Sequence, residues 1–372
     1  MTKRILIVSD PFAAPGYLPR VRYLCDYLSR KGYVVTLLTE QYQPLDFAHD
    51  YPIVTIPMYS GSTCDWIIKT IWTLLTNWHN RVFAKRAVKA LDQQQKFDVI
   101  VCSAFAEFPL GAAKILSHYY HAPLLCDIRD LDEQVDDSRY QYKHNSFAIK
   151  PFRNLYKRIH HSRRNKVLRS ANAITTISPW HVEFIKRFNP NTHLVYNGYD
   201  PKQFYAEEIS SKEFKITYIG SLFEWQKSGL DIVKQGIEQL ELPIILDIHT
   251  PQNQPIAYTE LGNTIRQSSI MLVLTNNRAH GMMTTKFYEA LGCDKPILCV
   301  PSDNGELAKL ITDTHAGIAT ENIEQIKSFI TNKYNEWKQN GYTTQHTLNR
   351  EQFSRETQCE QIEQIILSIA YD

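Results

Sequence analysis

The chain has 372 residues, 43% hydrophobic and 22% charged, which excludes a wholly disordered protein and is long enough for two domains. A formal charge of only +2 hides an asymmetry: residues 1–195 hold 26 Lys/Arg against 16 Asp/Glu (+10), and residues 196–372 hold 15 against 23 (−8). Halves of opposite sign fit two domains with different partners, the first drawn to anions.

In chain order, the first strand is the apolar run "ILIV" at Ile5–Val8. It starts almost at once, so "MTKRILIVSD" leaves no room for a signal peptide and the expected location is cytoplasmic. The loop "DPFAAPGYLPR" follows, then a helix with Val21, Leu24, Cys25 and Leu28 on one face, Pro19 in its first turn and Gly32 at its end. Strand, loop and helix in this order bring a helix N-terminus to the sheet edge, where an anion is welcome. The dinucleotide fingerprint G-x-G-x-x-G is absent, because Gly16 is the only glycine of the loop. Further strands are expected at 34–39, 53–56, 97–102, 123–128 and 173–177, alternating with helices. The greasiest helix, "WIIKTIWTLLTNW" at 66–78, is interrupted by Lys69 and is too short and polar to span a bilayer.

The segment "VYNGYDPKQF" at 195–204 reads as a turn-rich hinge. Beyond it come a strand at 215–220, a helix at 228–240, and strands at 243–249 and 268–274. A helix at 284–292, a strand at 296–300 and helices near 303–313 and 322–338 complete the pattern. Repeated β-α-β order implies parallel sheets covered on both faces. The last helix carries Phe353, Cys359, Ile362, Ile365, Ile366 and Ile369 on one stripe. The expected division is 1–195, 196–345, and a terminal helix at 346–372 crossing back onto the first domain. Seven cysteines form no C-x-x-C pair, and several lie in apolar runs such as "VIVCS", as reduced core thiols would.

Two stretches carry charge without an evident fold role. "CDIRDLDEQVDD" spreads six carboxylates between Asp127 and Asp137, and its D-x-D at 130–132 could hold a divalent cation. Residues 143–169 hold nine Lys/Arg and no acid, interleaved with Phe147, Phe152 and Tyr156. No nucleic-acid fold signature accompanies them, and an anionic membrane surface met by Lys150, Arg153, Lys157, Arg158, Arg163 and Arg164 is favoured over the alternative of a merely solvated helix face.

Four segments in order, "PFAAPGYLPR" (11–20), "ANAITTISPWHVEFIKRF" (171–188) with the hinge, "YIGSLFEWQKSG" (218–229) and "HGMMTTKFYEALGCDKPIL" (280–298), resemble glycosyltransferase family 4. The resemblance implies an α/β protein of the GT-B fold, two Rossmann-like doubly wound domains facing each other across a cleft. It implies a retaining, hexosyltransferase-type enzyme of polysaccharide biosynthesis, using a nucleoside-diphosphate sugar without metal or other cofactor. The acceptor expected is a lipid-linked or surface-glycan precursor, with the enzyme peripheral on the inner face of the plasma membrane. In this reading Glu289 accepts the ribose hydroxyls, while Lys227 and the amides of Gly281, Met282 and Met283 hold the departing diphosphate. Gly16, Arg20, Gly220, His280 and Lys286 complete the donor site, and Arg129 and Asp130 orient acceptor and sugar.

Several positions depart from the family pattern, Arg129 among them, standing where many members have histidine. Gly281 stands where a further glutamate is usual, Ser221 where an arginine is, and Pro15 where the first glycine of the opening loop is. A sugar-nucleotide epimerase on the same scaffold and a non-catalytic α/β sugar-nucleotide-binding protein are the alternative readings.

Overall fold

The structure is a computed structural model, and it describes residues 3–10, 19–41, 48–58, 63–91, 96–134, 150–275 and 280–371. The chain divides into two compact units. The first comprises 1–133, 137–195 and 359–372, and the second 134–136 and 196–358.

The first unit is built on strands β1 (Arg4–Ser9), β2 (Val34–Glu40), β3 (Ile53–Ile56), β4 (Val99–Ala104), β5 (Leu124–Ile128), β6 (Ala173–Thr176) and β7 (Thr192–Leu194). All pair in parallel, in the order β3-β2-β1-β4-β5-β6-β7, with Ile5 opposite Val35 and Val99. Strand β4 begins and ends two residues later than its apolar run suggests, because Ser103 and Ala104 continue the ladder against Asp127 and Ile128.

Successive side chains of a strand face opposite ways, so the sheet makes two cores. Leu6, Val8, Ile100 and Cys102 point to the face covered by α3 (Trp78–Ala90) and α4 (Glu107–Tyr120). Ile5, Ile7, Val99 and Val101 point to the face covered by α1 (Pro19–Arg30). The C-terminal helix, labelled α12 below, closes this second face with Cys359, Ile362, Ile366 and Ile369. Glu363 anchors it, accepting hydrogen bonds from the Tyr27 hydroxyl at 2.6 Å and the Tyr33 hydroxyl at 2.8 Å. Helices α2 (Thr63–Thr76), α5 (Lys150–Leu168) and α6 (Pro179–Lys186) complete the unit.

The second unit has strands β8 (Phe214–Ile219), β9 (Ile244–His249), β10 (Ile270–Leu274), β11 (Ile297–Val300) and β12 (Gly317–Ala319). Their order is β12-β11-β10-β8-β9, again parallel. Helices α7 (Lys227–Glu238), α8 (Leu261–Gln267), α9 (Thr285–Gly292), α10 (Glu306–Asp313) and α11 (Ile323–Asn340) connect them, and α12 (Arg355–Tyr371) follows. Phe214, Ile216, Tyr218, Leu272 and Val300 pack under Leu230 and Val233 of α7 and Ile326 and Ile330 of α11. The connection from β9 to α8 is short, a turn closed by Thr250 and Asn253 followed by a single 3-10 turn at Tyr258–Glu260.

Cys25, Cys102, Cys126, Cys293, Cys299 and Cys359 are buried and form no disulfide. No helix among the described residues is long and apolar enough to cross a membrane.

Candidate donor and acceptor sites

Strand order reverses beside β8: β9 lies on one side and β10 on the other. In an open parallel sheet, the crevice beyond the C-terminal ends of strands at such a point is where ligands bind. Gly220 ends β8 there, with φ +135°, a conformation L side chains rarely adopt. Its missing side chain also makes room: a Cβ would lie 2.6 Å from Lys286 Cε and 2.8 Å from Lys286 Nζ. The same ammonium lies 5.6 Å from the centre of the Tyr218 ring, a cation–π distance. Lys286 is therefore held between the Gly220 backbone and an aromatic face.

Tyr218 fixes the loop in turn. Its hydroxyl donates to the Ser221 carbonyl at 2.7 Å, and buried Gln226 accepts from the Phe223 N–H at 2.9 Å while donating to the Leu274 carbonyl at 3.2 Å. That last bond ties the loop after β8 to the end of β10.

Lys286 comes from the first turn of α9. Thr284 caps this helix, its hydroxyl accepting from the Lys286 N–H, and Gly281 precedes it with φ +61°. One turn further, Glu289 faces the same charge environment. Burial pushes its carboxyl above the usual range, opposed by the positive charges of Arg355 and Lys286. Burial likewise lowers the Lys286 ammonium, and Glu289 opposes that shift. Among the described residues, no side-chain hydrogen bond engages the Glu289 carboxylate, which leaves its oxygens available to a ligand.

Lys227 has a different place from the one the sequence implied. It does not precede α7 but forms its first residue, exposed, with Nζ 2.6 Å from Oε2 of the equally exposed Glu224. An exposed ion pair of this kind is worth only about 0–1 kcal/mol and fixes the Lys227 ammonium weakly. Of the other expected donor residues, His280 is exposed, Met282 half-buried and Met283 buried, while Gly16 lies outside the described residues.

The first unit gathers polar groups at the same end of its sheet. Arg20, from the first turn of α1, is buried and forks onto Asp127 of β5, with Nε–Oδ2 3.1 Å and Nη2–Oδ1 2.9 Å. Ser103 and Thr175, from the flanking strands, donate to the same carboxylate at 2.9 and 2.7 Å. Burial alone would raise Asp127, but Arg20 and the two hydroxyls outweigh it and hold the carboxyl below the usual range. Arg20, expected at the donor, is thus committed to a carboxylate within its own unit.

Arg129 reaches Asp10 at the end of β1, 2.5 Å away, and lies over the Phe105 ring. The neighbouring Asp130 is exposed. The rest of the D-x-D stretch is held by α5: His161 bonds Asp132 at 3.1 Å, and buried Arg164 forks onto Glu133 at 2.6 and 2.9 Å. Among the described residues no group of three or more His, Cys, Asp or Glu comes together as metal ligands would.

The basic stretch divides for the same reason. Arg164 faces inward, and Arg163 donates to the carbonyls of Thr73 and Leu74 at 2.7 Å each, so neither is a free surface cation. Tyr156 stacks near His160, with ring centres 4.0 Å apart. Lys157 is half-buried and Arg158 exposed; Lys150 and Arg153 lie in the first turn of α5 with side chains outside the described residues, as does all of Phe147.

Arg355, Tyr218, Gln226, Asp10, Asp127, Ser103 and Thr175 were not singled out from the sequence as site residues. A polar residue closing an apolar strand, as in "VIVCS" and "LLCDI", is the signal that could have found three of them.

Residues 20–203 match the sequence model described as Glycosyltransferase Family 4. No curated protein matches the chain. Among solved structures, HepE of Anabaena, in complex with UDP and glucose, is similar with a TM-score of 0.62 and 13% identity, over 98% of this chain and 100% of that one. A glycosyltransferase from Rickettsia africae is similar with a TM-score of 0.60 and 11% identity, over 99% and 98%. Residues 20–203 thus belong to glycosyltransferase family 4, and the chain, with its two parallel sheets, has the GT-B fold.

Proposed function

We propose that the enzyme transfers a hexosyl unit, with retention, from a nucleoside-diphosphate sugar to a lipid-linked or surface-glycan precursor, without a metal. The observation that carries the donor half is the placement of Lys286 between Gly220 and Tyr218 at the switch point of the second sheet, one helical turn from Glu289. Glu289 accepts the ribose hydroxyls. Lys286, with the amides of Gly281–Met283, stabilises the negative charge that grows on the diphosphate as it departs. The Anabaena neighbour binds UDP-glucose, which makes that compound the first donor to test here. Retention follows the family, and NMR of the anomeric configuration in the product tests it.

For the acceptor, Arg129 is pre-oriented by Asp10, and the exposed Asp130 beside it offers a carboxylate to sugar hydroxyls. A lipid-linked acceptor at the inner face of the plasma membrane is supported by the acid-free stretch 143–169. Turnover is expected to survive EDTA. Loss of activity on chelation, restored by Mn²⁺ or Mg²⁺, would move the charge compensation to a metal.

Glu289→Gln is expected to weaken UDP-glucose binding by roughly 10- to 150-fold, the equivalent of about 1.5–3 kcal/mol for hydrogen bonds to a charged acceptor. The pH profile should move as well. The Glu289 carboxylate props up the Lys286 ammonium against desolvation, so removing it lowers the Lys286 pKa further. The alkaline limb of donor binding should then shift to lower pH. Calorimetry across pH checks both, and unchanged affinity in a folded variant removes Glu289 from the site.

A further inference from the structure

Helix α2 presents a stripe of large apolar side chains to solvent: Ile68 is 55% exposed, Ile71 49%, Trp72 52% and Leu75 70%. The spacing i, i+3, i+4, i+7 puts all four on one face. Single exposed hydrophobic residues are ordinary on protein surfaces, whereas a contiguous stripe marks an interaction site. The stripe is not a loose end. Thr73 and Leu74 on the opposite side are buried, and the Lys69 ammonium donates to the Met58 carbonyl at 2.8 Å and to Asp65 at 2.6 Å. Arg163 of α5 caps the last turn through the Thr73 and Leu74 carbonyls. The unit therefore holds these four side chains outward.

The helices beside the stripe are themselves basic. Helix α3, "WHNRVFAKRAVKA", packs against α2 and has no acidic residue; Arg81, Lys85, Arg86 and Lys89 are exposed on it. Helix α5, "KPFRNLYKRIHHSRRNKVL", has none either, and exposes Arg158 and Lys166. The three helices carry one carboxylate between them, Asp65, and Lys69 neutralises it. We propose that α2 lies in the headgroup region of an anionic bilayer, with Ile68, Ile71, Trp72 and Leu75 inserted and the basic faces of α3 and α5 on the lipid phosphates.

The combination selects this occupant. Nucleic acid would use the cations but gain nothing from exposed Ile and Leu. A second copy of the chain would bury the stripe but bring two sets of basic helices together, at an electrostatic cost. An anionic membrane surface uses both features, as amphipathic interfacial helices do. The inserting element proposed here is α2.

The inference deepens the proposed lipid-linked acceptor, and the test reads the two separately. Full-length protein is sedimented with phosphatidylcholine vesicles, with and without phosphatidylglycerol, at low and high salt. Binding is expected only with the anionic lipid, falling as salt rises because attraction is screened within a Debye length of roughly 8 Å at physiological ionic strength. Trp72→Ser/Leu75→Ser should weaken vesicle binding by roughly tenfold per side chain removed, and Lys85→Glu/Arg158→Glu should abolish it. Neither pair should alter the melting temperature or UDP-glucose affinity, since all four side chains are solvent-facing. Acyl-chain-brominated lipid should quench tryptophan emission in the wild type, and less in Trp72→Phe. Vesicle binding that ignores the α2 substitutions overturns the proposal. So does a wild-type protein that ignores anionic vesicles, or one that elutes as a dimer dissociated by Trp72→Ser/Leu75→Ser. Intact vesicle binding with no turnover of a lipid-linked acceptor would instead remove the acceptor reading alone.

Discussion

Lys286→Met is expected to lower kcat by about 100- to 1,000-fold, the cost of removing one preorganised group that stabilises developing charge. Lys227→Met should stay within about threefold of the wild type, since an exposed ion pair is worth about 0–1 kcal/mol. The ranking follows from solvent. Lys227 shares its charge with Glu224 in water, while Lys286 sits against Tyr218 and Gly220 with burial lowering its pKa. A poorly solvated ammonium gains more from a diphosphate whose charge rises in the transition state than a hydrated one does. Gly220→Ala should mimic Lys286→Met in part, because the new methyl would collide with Lys286 Cε and the +135° backbone would be strained. Release of UDP from UDP-glucose, resolved into kcat and KM, with melting temperatures as a fold control, checks the series. The reverse order of the two lysines would return charge compensation to Lys227.

The contrast between these lysines shows where the sequence stops being legible. Both follow a glycine-containing loop and both stand in the first turn of a helix, so spacing alone treats them alike. What separates them is the space above Gly220, which depends on β8 and α9 meeting at the sheet's switch point. The framework itself was readable, because its signal is local. "ILIV", "VIVC" and "PILCV" are strands buried on both faces, and the α12 stripe Cys359, Ile362, Ile366 and Ile369 packs as its period requires. Phe353 falls outside that helix, in a separate 3-10 turn, because the extended backbone of Ser354 separates the two. Adjacent Arg163 and Arg164 look equivalent in a basic run, yet one caps α2 and the other is buried against Glu133. Likewise the mixed apolar run at 66–78 could not reveal which face α3 and α5 would leave uncovered. Each of these outcomes was set by partners tens of residues away.

Arg20→Met should destabilise the first unit by about 3–5 kcal/mol, the usual cost of breaking a buried ion pair from one side. Asp127 keeps its hydrogen bonds from Ser103 and Thr175 in this variant, but its charge stays buried without a counterion. The sign of the pH dependence follows. In the wild type, Arg20 helps hold Asp127 below the unfolded carboxylate value of about 3.9, so the pair's contribution is fully present above that pH and is lost as pH falls through the lower folded pKa. In the variant, burial dominates and the Asp127 pKa rises, so the carboxyl can neutralise itself as the solution is acidified. The destabilisation should therefore be largest near neutral pH and shrink toward pH ~5. Adding Asp127→Asn removes the stranded charge, and the double variant should recover part of the loss. Hydrogen exchange at the β4, β5 and β6 amides follows this unit without interference from the second. A cost that does not change with pH, or a loss of UDP-glucose affinity without loss of protection, would return Arg20 from the sheet's interior to the donor.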